Sequence, residues 1–347
     1  MTHTIQTTAP PIATDGSDFA RLARRIADAG LMRRRPAYYL ARFTLVAALS
    51  VSPWAALALL GANRWTTLPV AALMALANGQ VALLMHDVAH RQVFRTRRPT
   101  EVVGRLVAGV GIGFGYGWWQ DKHNRHHANP NHEELDPDVS PDVLVWSRRQ
   151  ARESRGLPRL IGRVQSFAFF PLLTLEGLNL RVAGVRAVRN RAVRNRWTEG
   201  ALILAHGAGY LAALLLLLPP GQALAFAAVH QALFGIYLGC IFAPNHKGMP
   251  THTGRPYPDF LRRQVLTSRN IRGGLLTDIA LGGLNYQIEH HLFPSMPTPH
   301  LRHARVLVRD YCAGLGIPYH ETGLIASYRE VVAHLHRVGA PIRAAHR

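Results

Sequence analysis

Two pairs of long apolar runs constrain this chain more than anything else in it. Phe43 to Gly61 and Leu68 to Met85 contain no Asp, Glu, Lys or Arg, and a short polar link, Ala62 to Thr67, joins them. Ala201 to Leu218 and Ala223 to about Ala243 form a second such pair, joined by Pro219-Pro220-Gly221. Each run is close to the ~20 residues that a helix needs to cross ~30 Å of hydrocarbon. The pattern predicts an all-α membrane protein with four transmembrane helices in two hairpins.

Charge gives the orientation. The 347 residues are 48% hydrophobic, and 40 Lys+Arg against 20 Asp+Glu leave a formal charge of +20. Such an excess suits nucleic acid, an anionic membrane surface or an acidic partner. The apolar runs decide for membrane lipid, and no zinc-finger or RNA-recognition signature supports nucleic acid. Arginines crowd the segments before Phe43, from Arg91 to Arg98, from Arg148 to Arg196 and after His246, whereas the two links carry only Arg64. The positive-inside rule then puts the arginine-rich segments and both termini in the cytoplasm. In a bacterium the membrane would be the plasma (inner) membrane.

The remaining segments are shorter. Met1 to Gly16 is polar without the apolar core of a signal peptide, so it reads as a disordered tail. Ser17 can cap a helix with Phe19, Leu22, Ile26 and Ala29 on one face and Arg21, Arg24 and Arg25 on the other. That apolar face reads as an interfacial helix on anionic lipid, and equally as an ordinary amphipathic helix. Val102 to Trp119 is apolar but glycine-rich and broken by Arg105, so it reads as re-entrant or interfacial. Leu160 to Leu180, interrupted by Arg163, Pro171 and Glu176, reads as lying along the surface. Leu301 to Ala313, with Gly314 near its C-cap, and Ala326 to Val338 are expected helices. The chain thus divides into a tail and amphipathic helix over 1–36, a membrane domain over 37–299 and a cytoplasmic helical tail over 300–347. The two cysteines, Cys240 and Cys312, predict no disulfide framework and a reducing compartment.

Chemistry concentrates in three histidine clusters: His86-Asp87-Val88-Ala89-His90, His123-Asn124-Arg125-His126-His127 and Gln287-Ile288-Glu289-His290-His291. Histidines three or four apart share a helix face, with Cβ atoms about 5–6 Å apart, and neutral imidazole is the commonest metal-binding side chain. The predicted topology places all three clusters, and His246 at the end of the fourth run, on the cytoplasmic face. An all-imidazole set without cysteine argues against structural zinc, and the HExxH of zinc proteases is absent. By donor type alone iron, copper, nickel and zinc are all suited.

HDVAH, HNRHH and QIEHH resemble the three histidine boxes (HxxxH, HxxHH and QxxHH) of the membrane fatty acid desaturases. Gly117-Trp118-Trp119, Ala128-Asn129-Pro130-Asn131 and Leu292-Phe293-Pro294 around them agree, and the similarity runs from about Tyr38 to about Tyr319. The resemblance implies that His86, His90, His123, His126, His127, His290 and His291 hold two non-haem irons, which activate O2 and remove two hydrogens from a fatty acyl chain. It also implies that His246, in Asn245-His246-Lys247-Gly248, is an eighth ligand; a helix-end cap is the plainer reading. Gln287 stands where many relatives carry histidine, offering a weak carbonyl ligand or a hydrogen bond to metal-bound water. Asp87, Asn285, Asp278, Glu289, Asp136 and Asp138 are candidates to accept a ring N–H and fix its tautomer, or else solvated polar residues. Trp118 and Trp119 read as interface anchors rather than tunnel lining. His206 and His230, inside apolar runs, read as neutral histidines hydrogen-bonded to a neighbouring helix.

Such chemistry needs two electrons. The sequence has neither the HPGG motif of a fused cytochrome b5 nor a ferredoxin cysteine pattern. A separate ferredoxin or cytochrome b5-like donor, with its reductase, is therefore expected, and an acidic ferredoxin suits the basic face. A diiron hydroxylase or ketolase of lipids is the nearest alternative. A metal transporter, the alternative from another class, would need ligands near the bilayer midplane, whereas these histidines sit at the ends of the runs.

Overall fold

The structure, a computed structural model, describes residues 17–344 apart from 62; the expected tail from Met1 to Gly16 lies outside the described residues. Its helices are α1 (Asp18–Asp28), α2 (Pro36–Leu60), α3 (Arg64–Ala89), α4 (Arg97–Arg105) continuing as a π-helical segment (Leu106–Ile112), α5 (Tyr116–Ala128), α6 (Arg148–Glu153), α7 (Gly156–Gly162), α8 (Gln165–Leu173), α9 (Glu176–Ala187), α10 (Arg196–Leu217), α11 (Pro220–His246), α12 (Phe260–Leu266), α13 (Leu275–Ala280), α14 (Gln287–Leu292), α15 (Thr298–Gly314), α16 (Leu324–Val338) and α17 (Ala340–Ala344). Two short strands, β1 (Asn270–Arg272) and β2 (Glu321–Gly323), pair in parallel with Ile271 opposite Thr322.

Four helices, α2, α3, α10 and α11, are long and apolar enough to cross a membrane. They form the two expected hairpins, with shorter links than the sequence suggested. Proline at the first helical position starts α2 at Pro36 and α11 at Pro220, where its fixed φ suits the helix and its missing N–H is not needed. Asn63 starts α3 early: its side chain accepts from Trp65 N at 2.8 Å, so the helix begins at Arg64 rather than Leu68. α3 lies buried in the middle, packed along α11; Leu57 of α2, Val70, Ala71 and Met74 of α3 and Phe226 of α11 share one apolar cluster. Leu59 of α2 and Leu216 of α10 are each 85% exposed, which demands an apolar solvent around these helices.

Between the hairpins the chain dips and returns. Arg105 lies 3.4 Å from Glu199, near the start of α10, while Gly113 packs against the ring of His206, two turns further along. Gly113 makes the reversal with φ 70°, ψ 33°, a conformation that glycine adopts without strain. The carbonyls freed at this turn are satisfied by side chains: Arg181 Nε donates to Ile112 O at 3.0 Å and His206 Nδ1 to Val110 O at 2.8 Å. His230 lies 3.0 Å from Asn78 Nδ2 and 2.8 Å from Tyr210 OH. Both histidines are therefore hydrogen-bonded packing residues, as expected.

Two expectations change here. The segment around Leu160–Leu180 does not simply follow the surface: α8 and α9 meet at a 70° bend whose backbone is docked on α11. A Cβ at Gly235 would lie 2.4 Å from Leu173 O. Secondly, Ser17 does cap α1, its Oγ accepting from Ala20 N at 3.2 Å, but the apolar face of α1 does not lie on lipid. Leu22 and Ile26 are fully buried against Leu261 and Val265 of α12, Leu292 of α14 and Leu301, Val308 and Tyr311 of α15. Protein covers that face, so of the two expectations for it the ordinary amphipathic helix holds and the lipid-facing one does not. α1, α12, α14 and α15 form a helical cap over one end of the membrane-length helices. Both cysteines are free.

Candidate metal centre

The cap and the long helices meet where α3, α5, α11 and α14 bring their histidines together. His86 and His90 stand one turn apart at the end of α3. On α5, His123 and His127 share a face, whereas His126 is turned about 100° from His127 around the axis. The neighbours His290 and His291 diverge in the same way on α14. That helix is short because Pro294 follows it and Asn270 caps it, Asn270 Oδ1 accepting from Ile288 N at 2.9 Å.

This rotation sorts eight histidines into two groups. His86, His90, His123, His127 and His290 each place a ring nitrogen within 4.8 Å of the others, and His126, His246 and His291 do the same separately. In the first group Nε2 of His123 lies 2.8 Å from Nε2 of His90 and 3.1 Å from that of His127, which is 3.2 Å from His290 Nε2. In the second, His246 Nε2 lies 3.0 Å from His291 Nε2 and 3.3 Å from His126 Nε2. The groups touch through His127 and His291, whose rings stack at 4.1 Å. Since the first box contributes only to the first group, the second receives one histidine from each of the other boxes. His246 supplies its third.

The donor set fits a metal. In the second group every Nδ1 donates outward: His126 to Asp136 Oδ2 at 2.9 Å, His246 to Thr267 O at 3.0 Å and His291 to Gln264 Oε1 at 2.9 Å. These bonds fix the tautomers and leave each Nε2 a bare lone pair aimed at its neighbours. Lone pairs so close repel unless a cation sits among them. In the first group both ring nitrogens of His86, and Nδ1 of His127 and of His290, are buried without a hydrogen-bond partner. Such orphaned polar atoms cost about 1–3 kcal/mol each, and ligation removes part of that cost.

Protonation agrees. Burial pushes His123, His127, His290 and His291 well below the ordinary imidazole range, and neighbouring histidines add to the effect. They stay neutral, the form that binds metal. His126 feels the same burial, but Asp136 and Asp138 outweigh it and hold this histidine above its ordinary value. The two carboxylates therefore favour positive charge beside the second group. Lys122 forms an ion pair with Asp138 behind them.

The other candidates divide. Gln287 faces the second group, Nε2 at 2.9 Å from His246 Nε2 and Oε1 accepting from Asn245 Nδ2 at 3.0 Å. Asp87 is 3.7 Å from His86 Nδ1, outside hydrogen-bond reach; it accepts from Thr298 Oγ1 at 3.2 Å and lies 3.7 Å from Arg42, tying α3 to α15 and α2. Asn285 donates to Asp278 Oδ1 at 2.8 Å, so this pair orders the turn before α14 rather than a ring. Glu289 accepts from Asn270 at 2.7 Å and from Tyr319 at 2.8 Å, and burial pushes its carboxyl up to about 7. Trp119 is not an interface anchor: it is buried and stacks on His123 at 4.5 Å. Trp118, half-buried, packs into the same cluster. Gln264 and Thr267, which hold two ligand rings, carry no motif that would have marked them.

Fold and site together define a helical membrane protein in which two bilayer-length helices and two short ones present two adjacent imidazole groups able to hold metal. Residues 63–323 match the family model described as fatty acid desaturase. The chain is 31% identical over 278 residues to an acyl-lipid (9-3)-desaturase of Physcomitrium patens, covering 77% of this chain and 52% of that protein. It is 30% identical over 334 residues to fatty acid desaturase 3 of Bos taurus, covering 93% and 73%, and 29% identical over 316 residues to a Delta(6)-fatty-acid desaturase of Caenorhabditis elegans, covering 87% and 70%. The chain belongs to the fatty acid desaturase family, oxidoreductases of fatty acyl chains. It spans about half the length of the moss relative and over two thirds of the two animal ones.

Proposed function

We propose that this chain is an O2-dependent fatty acyl desaturase in which each histidine group holds one iron. The observation that carries this reading is the division of eight histidines, from all three boxes and α11, into two touching sets of bare imidazole nitrogens. Imidazole suits several metals; family membership favours iron. Bound there, the iron pair would supply the O2-dependent oxidising power that removal of hydrogen from a methylene requires. The chain's own residues position that pair. Asp136, Thr267 and Gln264 orient the rings of the second group, and Trp119, which shares an apolar cluster with Leu84, Met85, Ile112 and Phe114, backs His123 of the first.

The acyl tail would lie among the membrane helices with its polar head at the arginine-rich face. That face, with both histidine groups and both termini, we place in the cytoplasm on the distribution of arginines. Electrons would come from a ferredoxin or cytochrome b5-like donor with its reductase, and the positive face favours an acidic one. The reading is tested by expression in a host whose fatty acids are profiled as methyl esters by mass spectrometry. A new double bond is expected, together with about two irons per chain; His126→Ala and His290→Ala, each hitting one group, should abolish the double bond and lower the iron content. A hydroxylated or keto product instead would assign the sister chemistry. Stoichiometric zinc without iron, from iron-replete cells, would overturn the metal assignment.

A further inference from the structure

We propose that Gln264 is a positioning residue that locks the two metal centres to each other. The proposal rests on the two-centre reading above. Gln264 ends no motif and binds no metal, yet it is fully buried on α12. Its Oε1 accepts from His291 Nδ1 at 2.9 Å, and its Nε2 donates to the backbone carbonyl of His127 at 2.9 Å. His291 belongs to the three-histidine group and His127 to the five-histidine group, and these are the two rings that stack between the groups at 4.1 Å and 13°. One amide therefore sets the rotation of one ring and holds the backbone that carries the other.

Chemistry restricts what this position tolerates. The carbonyl of His127 can only accept, so Nε2 must face it, and Oε1 is left to accept the hydrogen bond from His291 Nδ1. That in turn fixes the His291 tautomer with its Nε2 lone pair toward the centre. An ionised glutamate would accept on both sides and face the carbonyl with a lone pair. A leucine would do neither.

Gln264 opens a buried strap. Gln264, Thr267, Ser268 and Arg269 have no exposed surface, and Asn270 has 1%. Burying so polar a stretch is costly unless its groups are paired, and much of that pairing goes to the ligand-bearing helices. Thr267 O receives His246 Nδ1 at 3.0 Å; Arg269 Nη2 donates to Lys247 O at 2.9 Å at the end of α11; Asn270 caps α14. Arg269 also pairs with Glu330 of α16 and Asn270 with Tyr319, while Ser268 Oγ has no partner. The strap thus touches α5, α11 and α14, three of the four helices that carry the histidines.

The experiment is a Co²⁺ titration of the purified, metal-free full chain in detergent, followed by visible absorption. Wild type should take up two equivalents. Gln264→Leu should keep one and bind the other about 10–100-fold more weakly. Gln264→Glu, which restores an acceptor for His291 but not the donor to His127, should recover part of that loss and not all of it. Thermal unfolding of the metal-free variants checks that they fold, and Gln264→Met, closer in shape, replaces the leucine variant if it does not. Two equivalents at wild-type affinity in Gln264→Leu would overturn the proposal; so would wild-type affinity in Gln264→Glu, since the bond to His127 would then hold nothing, and so would equal losses in the two, since the bond to His291 would then orient nothing. A wild type that itself takes up one equivalent would refute the two-centre reading before any variant is made, and this proposal with it.

Discussion

Replacing His246 with alanine separates a metal ligand from a residue that merely ends a helix. The side chain is 6% exposed, with Nε2 against His291 and His126 and Nδ1 donating to Thr267 O. Truncation removes one of three nitrogens from the second group. A four-ligand zinc site is worth roughly 10–16 kcal/mol, so one ligand accounts for about 3 kcal/mol, or about 100-fold in affinity. Folding of the metal-free chain loses far less, about 1 kcal/mol for the hydrogen bond to Thr267, a shift of a few degrees in Tm at most. Metal analysis of the purified variant should show about one metal per chain, while unfolding without metal stays near wild type and fatty acid profiling shows no new double bond. His230→Ala is the control on the same helix: its ring is engaged with Asn78 and Tyr210, so both metals should remain. Two tightly bound metals and normal product in a well-folded His246→Ala protein would refute the ligand assignment.

Gly235→Ala should destabilise by about 1–3 kcal/mol, because the new methyl meets the backbone of the α8–α9 bend, whereas Gly207→Ala, with nothing within 4 Å, should be near neutral; unfolding in detergent reads both. Glu330 pairs with the fully buried Arg269 and with His320, and these partners outweigh its burial and hold its carboxyl below the usual range. A depressed carboxyl stabilises above its unfolded pKa and ceases to as pH falls through the folded value, so wild type should lose more Tm than Glu330→Gln below about pH 4. A pH-independent difference between the two would contradict the pairing. In a chain whose Cys240 and Cys312 are first replaced, a cysteine at 221 should react with an impermeant reagent in intact cells and one at Arg191 should not; the reverse pattern inverts the orientation.

What the sequence makes legible follows from the range of each interaction. The histidine boxes are readable because helical spacing alone puts their members on shared faces, and His246 because a crossing must end at the plane where the boxes lie. Membrane helices are readable because lipid selects composition over twenty residues at a stretch. Their ends are less so: a single side-chain bond from Asn63 moves the start of α3. Partners remote in the chain leave no local signal. Gln264 meets His127 and His291 only in three dimensions, and nothing in Phe260–Leu266 distinguishes an amide that holds a ring from one in solvent. Asp87 shows the converse error. Its place inside a box suggests a role toward a histidine, but the Cβ direction on α3 sends it to Thr298 and Arg42. The amphipathic pattern of α1 correctly marks a buried face without saying whether lipid or α15 covers it.

The scatter of the ligands along the chain sets an order in time. His86 and His291 lie some two hundred residues apart, roughly 10–40 s of synthesis at ~5–20 residues per second. Both groups wait for α14, one for His290 and the other for His291, so neither can close until all four long helices have been made. A complete set of ligands for metal therefore exists only after all four long helices have been made. Cells short of metal should therefore accumulate inserted, empty chains rather than fail to insert them. α1 faces the same delay: Leu22 and Ile26 stay uncovered until α12, α14 and α15 follow. An early-made helix and a late-made one then close over the site together, after the bilayer part is already in place.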